Sequence, residues 1–336
     1  MSTGTRLWAT VNQMENKNNG LNWIGQKDTD WVSGDIPAQN LNVYWPAFIS
    51  DPEVQYDQQF DTYSCASFSL TNVIETQLNA LLSVGALNLL LPKFNNLGVI
   101  SNGKFNFSDR FVAVGSGTKP LEGNSMQTVI DFVRKNGLVS ENACPFLQTM
   151  NQTDYFSPLK PSLFLLAKKM KWAIDIAYEW TITDQTNPQD RLSVAKNALQ
   201  HAPLWCAIPI CPTYKETVAQ TCNITKPAHC VECYKVDDVF KILDQYIPFN
   251  KQLASDYPVL WAMKVVVTPK LPITLSRNLF FGCFGDDVKS LQTFLGVNPT
   301  GWFGPATRAA VKEYQLDMGI PSTGYVGNLT RASLSS

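Results

Sequence analysis

The sequence predicts an α+β protein, with a helical half followed by an antiparallel sheet half and then a small helical module. Three observations carry this. After Cys65, apolar residues at 68, 70, 73, 74, 78, 81 and 82 recur at helical spacing. Between 204 and 267, short β-branched and aromatic runs are separated by turn residues. Beyond a Pro-containing stretch, "TGWFGPATRAAV" and "TGYVGNLTRASL" align without a gap at a spacing of 23 residues. Helices first and strands later argue for α+β rather than alternating βαβ units.

Taken in order, residues 1–55 are rich in Asn, Asp, Trp and Pro and show little periodicity. Residues 1–29 are read as an extended arm leading into a domain that covers 30–267. The run "CASFSLTNVIETQLNALLSV" is an amphipathic helix with Cys65 near its N-terminus. "NSMQTVIDFVRKNGL" is a second helix, stopped by Asn136-Gly137, and "RLSVAKNALQHAP" a third, ended by Pro203. "LWCAIPI", "HCVECYKV", "VFKILDQY" and "LWAMKVVV" read as strands. Residues 268–278 carry two prolines and no helical pattern, and are taken as a linker to a C-terminal domain at 279–336. There, each repeat unit is a turn running into a helix start.

The composition excludes several classes. The chain has 336 residues, 45% of them hydrophobic and 16% charged, with a net charge of −1. That suffices for a buried core and argues against disorder. Both signs of charge are scattered, so neither nucleic acid nor an anionic membrane is an expected partner. The first twenty residues show no apolar run behind a basic start and are not read as a secretory signal. The most apolar stretch, "LNALLSVGALNLLLPKF", is interrupted by Asn79, Gly85, Asn88 and Pro92, and no membrane insertion is expected. The eight cysteines are read as free thiols, too few for a disulfide scaffold. Cys222, His229, Cys230 and Cys233 do not have a standard zinc spacing, and adjacent residues of a strand point to opposite faces. No metal and no cofactor are expected.

Cys65 is the candidate nucleophile. The positive end of a helix dipole favours thiolate, whereas an ordinary buried cysteine is only a small hydrophobe. A thiolate enzyme needs a base and a group to orient that base. The chain has only two histidines. His201 is placed in a loop, and His229 opens an apolar strand. Asp244 ends the next strand, where it is either the orienting residue or a turn residue. A turn at Asp237-Asp238 between antiparallel strands would bring His229 and Asp244 together.

At these residues the sequence resembles the papain-like cysteine peptidases. Gln59 precedes Cys65 by six positions, and "SCASFS" stands where that family has Ser-Cys-Trp-Ala-Phe-Ser. "FSDRFVAV", "FVRKNGLVSENACPF", "VAKNALQHAPLWCAI", "AHCVECYKV" and "KILDQY" follow in the family's order. The resemblance covers roughly residues 30–267. It implies that Cys65 is the nucleophile, His229 its proton partner and Asp244 the orienter. It further implies that Gln59 and the Cys65 backbone N–H form an oxyanion hole, and that Gly123 and Ala228 line the substrate cleft. The sequence departs from the pattern at Ala66, Gln245 and Tyr246, and the Cys-to-His separation is long, which suggests an insertion at "SPLKPSLFLLAKKMKWAIDIAYEW".

Residues 281–336 resemble the three-helix peptidoglycan-binding module of cell-wall hydrolases, through "GDDVKSLQTFLG" and the two repeat units. Phe303, Val311 and Leu334 are expected in its core. Trp302, Tyr325 and Arg308 are the candidates for contact with sugar or peptide. The two resemblances together imply a cysteine endopeptidase directed to bacterial peptidoglycan. It would be phage-borne, as a lysin or virion-associated enzyme, and would act at the cell wall on wall peptides or wall-associated protein. Other virion proteins are possible partners. The alternative is a virion structural or wall-docking protein that uses the peptidase fold as a scaffold. A cellular processing peptidase would leave the C-terminal module unexplained.

Overall fold

The computed structural model describes residues 43–55, 60–147 and 149–336. The expected N-terminal arm and Gln59 lie outside them. Helix α1 (Cys65–Ser83) is the axis of the helical half. It is followed by α2 (Leu91–Leu97), a two-stranded β1 (Ile100–Ser101) and β2 (Lys104–Phe105), α3 (Asp109–Gly115), α4 (Met126–Asn136), a single turn α5 (Gln152–Tyr155) and α6 (Pro161–Lys171). Strand β3 (Ile174–Ile182) and helix α7 (Arg191–Ala198) lead into β4 (Leu204–Ile208), β5 (Val218–Ala219), β6 (His229–Val236), β7 (Phe240–Leu243), β8 (Asn250–Leu253) and β9 (Trp261–Pro269). These strands form one sheet in the order β3-β9-β4-β6-β7-β8-β5. Its pairs are antiparallel except β5 with β8, where Val218 and Ala219 pair in parallel with Gln252 and Leu253.

The first helix is not the one-sided amphipathic helix that its apolar spacing suggests. Residues 66–81 are all buried, polar ones included. Each polar side chain whose bonds can be traced pins a neighbour, which is how a buried donor or acceptor avoids its desolvation cost. Gln77 donates to the Val265 carbonyl at 2.9 Å and accepts from the Val267 N–H at 3.1 Å, clamping α1 to β9. Glu75 accepts from Phe107 N–H at 2.6 Å, and Asn79 from Phe105 N–H at 2.8 Å. Ser69 accepts from the Trp205 indole at 2.7 Å, tying α1 to β4. Helix and sheet therefore meet in fixed register, with the start of α1 held against β6.

The segment read as an insertion forms α6 and β3. Ile174, Ile176 and Tyr178 are buried, while Asp175 and Glu179 face solvent, the period-2 pattern of an edge strand beside β9. The expectation of free thiols needs correction, because Cys211 and Cys222 form a disulfide.

The C-terminal helices α8 (Asp286–Leu295), α9 (Pro305–Asp317) and α10 (Asn328–Leu334) enclose Phe303, Val311 and Leu334, as expected. Their core also takes in Trp172 from the end of α6 and Leu275 from the expected linker. The Trp172 ring stacks on Phe294 and meets Tyr314 edge-on, and its N–H donates to Asp317 at 3.0 Å. Lys171 pairs with Glu313 at 2.8 Å. Ile273 N–H reaches the Leu334 carbonyl at 2.8 Å, so the Pro-containing stretch is docked along part of its length. Trp172→Ala is therefore expected to cost about 3–5 kcal/mol and to open residues 268–278 to protease. Thermal unfolding and limited proteolysis would read this, and an unchanged cleavage pattern would contradict the docked arrangement.

Candidate functional site

The site is built where α1, β6 and β7 meet. Cys65 is the first residue of α1, following Ser64. Its backbone N–H therefore has no partner within the helix, and its sulfur sits at the positive end of the dipole. Among the free cysteines, Cys65 alone is half-buried rather than buried. His229 opens β6, where it pairs with Ile208 of β4. Asp244 directly follows β7, and the β6–β7 ladder turns back through Asp237–Val239. The antiparallel return thus carries Asp244 to His229: Nε2 is 2.7 Å from Asp244 Oδ1, with both side chains buried. The other ring nitrogen is left for Cys65, to which the His229 side chain is hydrogen-bonded.

The electrostatics follow from this arrangement. The Cys65 thiol is held well below its ordinary range, chiefly by a hydrogen bond from Cys230 and also by the hydrogen bond and charge of His229, against burial. Burial pulls the His229 imidazolium down, but the charge and hydrogen bond of Asp244 and the bond to Cys65 outweigh it, pushing its pKa up to about 9. Burial would raise Asp244; the charges of His229 and Lys251 and their hydrogen bonds hold it below the usual carboxylate range. These shifts all favour a thiolate beside an imidazolium that is oriented by a carboxylate.

Several neighbours were given no role at the site in the sequence reading. Cys230, considered there only as a possible metal ligand, is fully buried and is pushed up by burial and by its hydrogen bond to Cys65. Asp61 lies four residues before Cys65. It accepts from Tyr63 N–H at 2.8 Å, from Gln55 at 3.2 Å and from the Tyr246 hydroxyl. Burial raises it to about 6. Tyr246 also packs against the His229 ring at 5.2 Å. Tyr214 donates to Asp244 Oδ2 at 2.7 Å, and Lys251 bonds the same oxygen.

Of the residues expected at the site, Cys65, His229 and Asp244 are brought together. His201 lies in the turn after α7, on a different segment. Ala228 immediately precedes His229, and its N–H bonds the Ile208 carbonyl at 2.9 Å, fixing the start of β6. Gly123, at φ +67°, closes a tight turn with Lys119. Cys222 is in the disulfide, and no cluster of three or more metal-ligating side chains occurs among the described residues.

The C-terminal domain presents a second candidate surface. Two buried glutamines organise the repeats. Gln292 accepts from Gly301 N–H at 2.8 Å and donates to the Trp302 carbonyl and the Thr307 hydroxyl, both at 2.9 Å. Gln315 does the same with Gly324, Tyr325 and Thr330 at 2.9, 2.8 and 2.9 Å. Each aromatic ring lies across a glycine where a Cβ would collide, Trp302 over Gly304 and Tyr325 over Gly327. The rings are thereby turned outward, 40% and 43% exposed, with Arg308 exposed beside Gly324. Exposed Phe280 stacks on Tyr325 and exposed Phe284 on Trp302. The two turns thus carry a ridge of solvent-facing rings, larger than the sequence reading anticipated.

Residues 285–334 match the family model for the putative peptidoglycan binding domain. No curated protein sequence matches the chain. Solved structures similar to it include the bromelain protease from Ananas comosus in complex with the E64 inhibitor, at 12% identity and a TM-score of 0.43, over 68% of this chain and 97% of that one. Digestive procathepsin L 3 from the Tenebrio molitor larval midgut is similar at 16% identity and a TM-score of 0.45, over 76% and 79% of the two chains. The proform of the ragweed pollen allergen Amb a 11, a cysteine protease, is similar at 14% identity and a TM-score of 0.44, over 77% and 74%.

The charge states predict which cysteine reacts. At pH 6 an iodoacetamide-type reagent is expected to label Cys65 ahead of every other cysteine, because Cys65 alone combines partial exposure with a thiolate-favouring partner. Peptide mapping would show this, and labelling that appears evenly or only on unfolding would refute it.

Proposed function

We propose that this chain is a papain-like cysteine endopeptidase that acts at the bacterial cell wall. The observation that carries the reading is the line Cys65–His229–Asp244 at the start of a buried helix, with Cys65 half-buried and the orienting carboxylate sealed. In this reading the Cys65 thiolate attacks the scissile carbonyl carbon to form a thioester, and the His229 imidazolium gives its proton to the leaving amine. His229, now neutral, takes a proton from water as the water attacks the thioester, which returns the thiolate and imidazolium. The Cys65 N–H at the helix start and the Gln59 amide are the proposed donors to the oxyanion. Gly123 and Ala228 are the proposed edges of the cleft.

The matched C-terminal domain and its ring ridge support the wall as the place of action, with Trp302, Tyr325 and Arg308 as proposed contacts to peptidoglycan. The Cys211–Cys222 disulfide fits a site of action outside a reducing cytoplasm. Among the described residues no helix is long and apolar enough to cross a membrane. The carrier we propose is a phage, with the protein as a free lysin or a virion component, because a peptide-cutting unit and a wall-binding unit on one chain are the parts such an enzyme needs.

Purified protein incubated with bacterial walls, and separately with casein, should release new amino groups. Cys65→Ala should lower the rate by about 10³-fold or more. Equal activity in the variant would rule out Cys65 as the nucleophile, and no release by either protein would leave only a docking role. Activity should also fall on the alkaline side with a midpoint near 9, where His229 loses the proton it must donate. On the Cys65→Ala background, Trp302→Ala with Tyr325→Ala should weaken co-sedimentation with walls roughly tenfold, about 1.4 kcal/mol. Undiminished binding would move the wall contact away from the ridge.

A further inference from the structure

Among the described residues, Lys251 is the one buried lysine, and neither the motif pattern nor the proposed reaction uses it. It lies on β8, is 1% exposed, and is among the largest fully buried side chains. Its ammonium bonds Asp244 Oδ2 and the Tyr246 carbonyl, the latter at 3.1 Å, and sits 4.3 Å from the centre of the Tyr214 ring. The Tyr214 hydroxyl completes that oxygen at 2.7 Å. The opposite oxygen, Oδ1, accepts from His229 at 2.7 Å, from Gln245 N–H at 2.7 Å and from Tyr246 N–H at 3.2 Å. Asp244 is thus divided, with one oxygen facing the imidazole and the other capped by a cation.

A neutral amide could orient an imidazole through a single hydrogen bond. A carboxylate does so at the cost of a full negative charge in a sealed place, and an unpaired buried charge is among the most destabilising features a fold can hold. An uncompensated carboxylate would also bind the imidazolium proton too tightly for easy transfer to a leaving amine. With Lys251 present, the carboxylate carries a cation on the oxygen that faces away from the imidazole.

We propose that Lys251 is a positioning residue that neutralises Asp244, so that the carboxylate orients His229 without over-stabilising its proton. The inference rests on the peptidase reading of the site. The other ionisable groups facing this line are Cys65 and Cys230 at the sulfur end, Asp61 and Tyr246 beside the imidazole, and Tyr214 and Tyr257 beside the carboxylate. Lys251 is the only cation among them apart from His229 itself. Its placement depends on β8, which is held between β7 and the short β5, and on the 211–222 loop closed by the disulfide.

The test follows one proton by two routes. Alkylation of Cys65 should change rate at alkaline pH, where His229 deprotonates, and needs no peptide substrate; the alkaline limb of kcat/KM reports the same event. Lys251→Met should move both upward by about one pH unit, since a positive charge near the imidazolium has been removed. Asp244→Asn should move them down, leaving an unpaired ammonium. Lys251→Met combined with Asp244→Asn should bring them back toward the wild-type position. If Lys251→Met does not fold but the double variant does, with that intermediate profile, the neutralising role stands. The proposal is overturned if Lys251→Met folds and leaves the profile in place, or if Lys251→Met fails to fold and the double variant folds no better. A wild-type profile with no alkaline step in alkylation would instead overturn the cysteine–histidine reading itself.

Discussion

A carboxylate with no exposed surface is the constraint around which the sheet half is organised. Asp244 must have both oxygens filled, because losing one partner of a buried charge costs about 3–5 kcal/mol. The groups that fill them come from four places in the chain: His229 at the start of β6, the backbone just after β7, Lys251 on β8, and Tyr214 in the loop closed by Cys211 and Cys222. Strand register, the parallel β5–β8 contact and the disulfide all serve to hold these groups in place. The imidazole is oriented as a consequence.

The helical half answers a different demand. A sulfur can sit at a helix N-terminus only if that terminus is fixed relative to the imidazole across the interface. The polar side chains of α1 do this, with Gln77 on β9, Ser69 on Trp205 and Glu75 on the backbone ahead of α3. A helix with only an apolar stripe could slide or rotate by a fraction of a turn, whereas one pinned by directional bonds on several sides cannot. The unusual polarity of this buried helix is therefore tied to the position of Cys65.

What could be read from the sequence was what repeats or follows local chemistry. Cys65 at a helix start, His229 on an apolar strand and Asp244 one strand later were legible because short-range pattern sets them. The glycine-aromatic turns were legible because the chain spells them twice. Lys251 was not, since a lysine on a short strand ordinarily faces water, and only the packing of β8 under Tyr214 shows otherwise. The disulfide was hidden because nothing local tells Cys211 and Cys222 from the six free cysteines. Trp172 was hidden because its partners, Phe294 and Tyr314, lie more than a hundred residues away. The alternation in β3 lay within the segment read as an insertion and was not recognised as a strand, since an edge strand announces itself through one face only.

The most direct test of the central claim, that Cys65 and His229 form a thiolate–imidazolium pair oriented by Asp244, is a ¹⁵N NMR titration of the histidine side chains. With only two histidines in the chain, a His201→Gln variant assigns both signals. The account predicts that His229 stays protonated through neutral pH and titrates near 9, and that Cys65→Ala moves this titration downward by removing the thiolate. A His229 ring that is neutral at pH 7, or whose titration ignores the loss of Cys65, would contradict it.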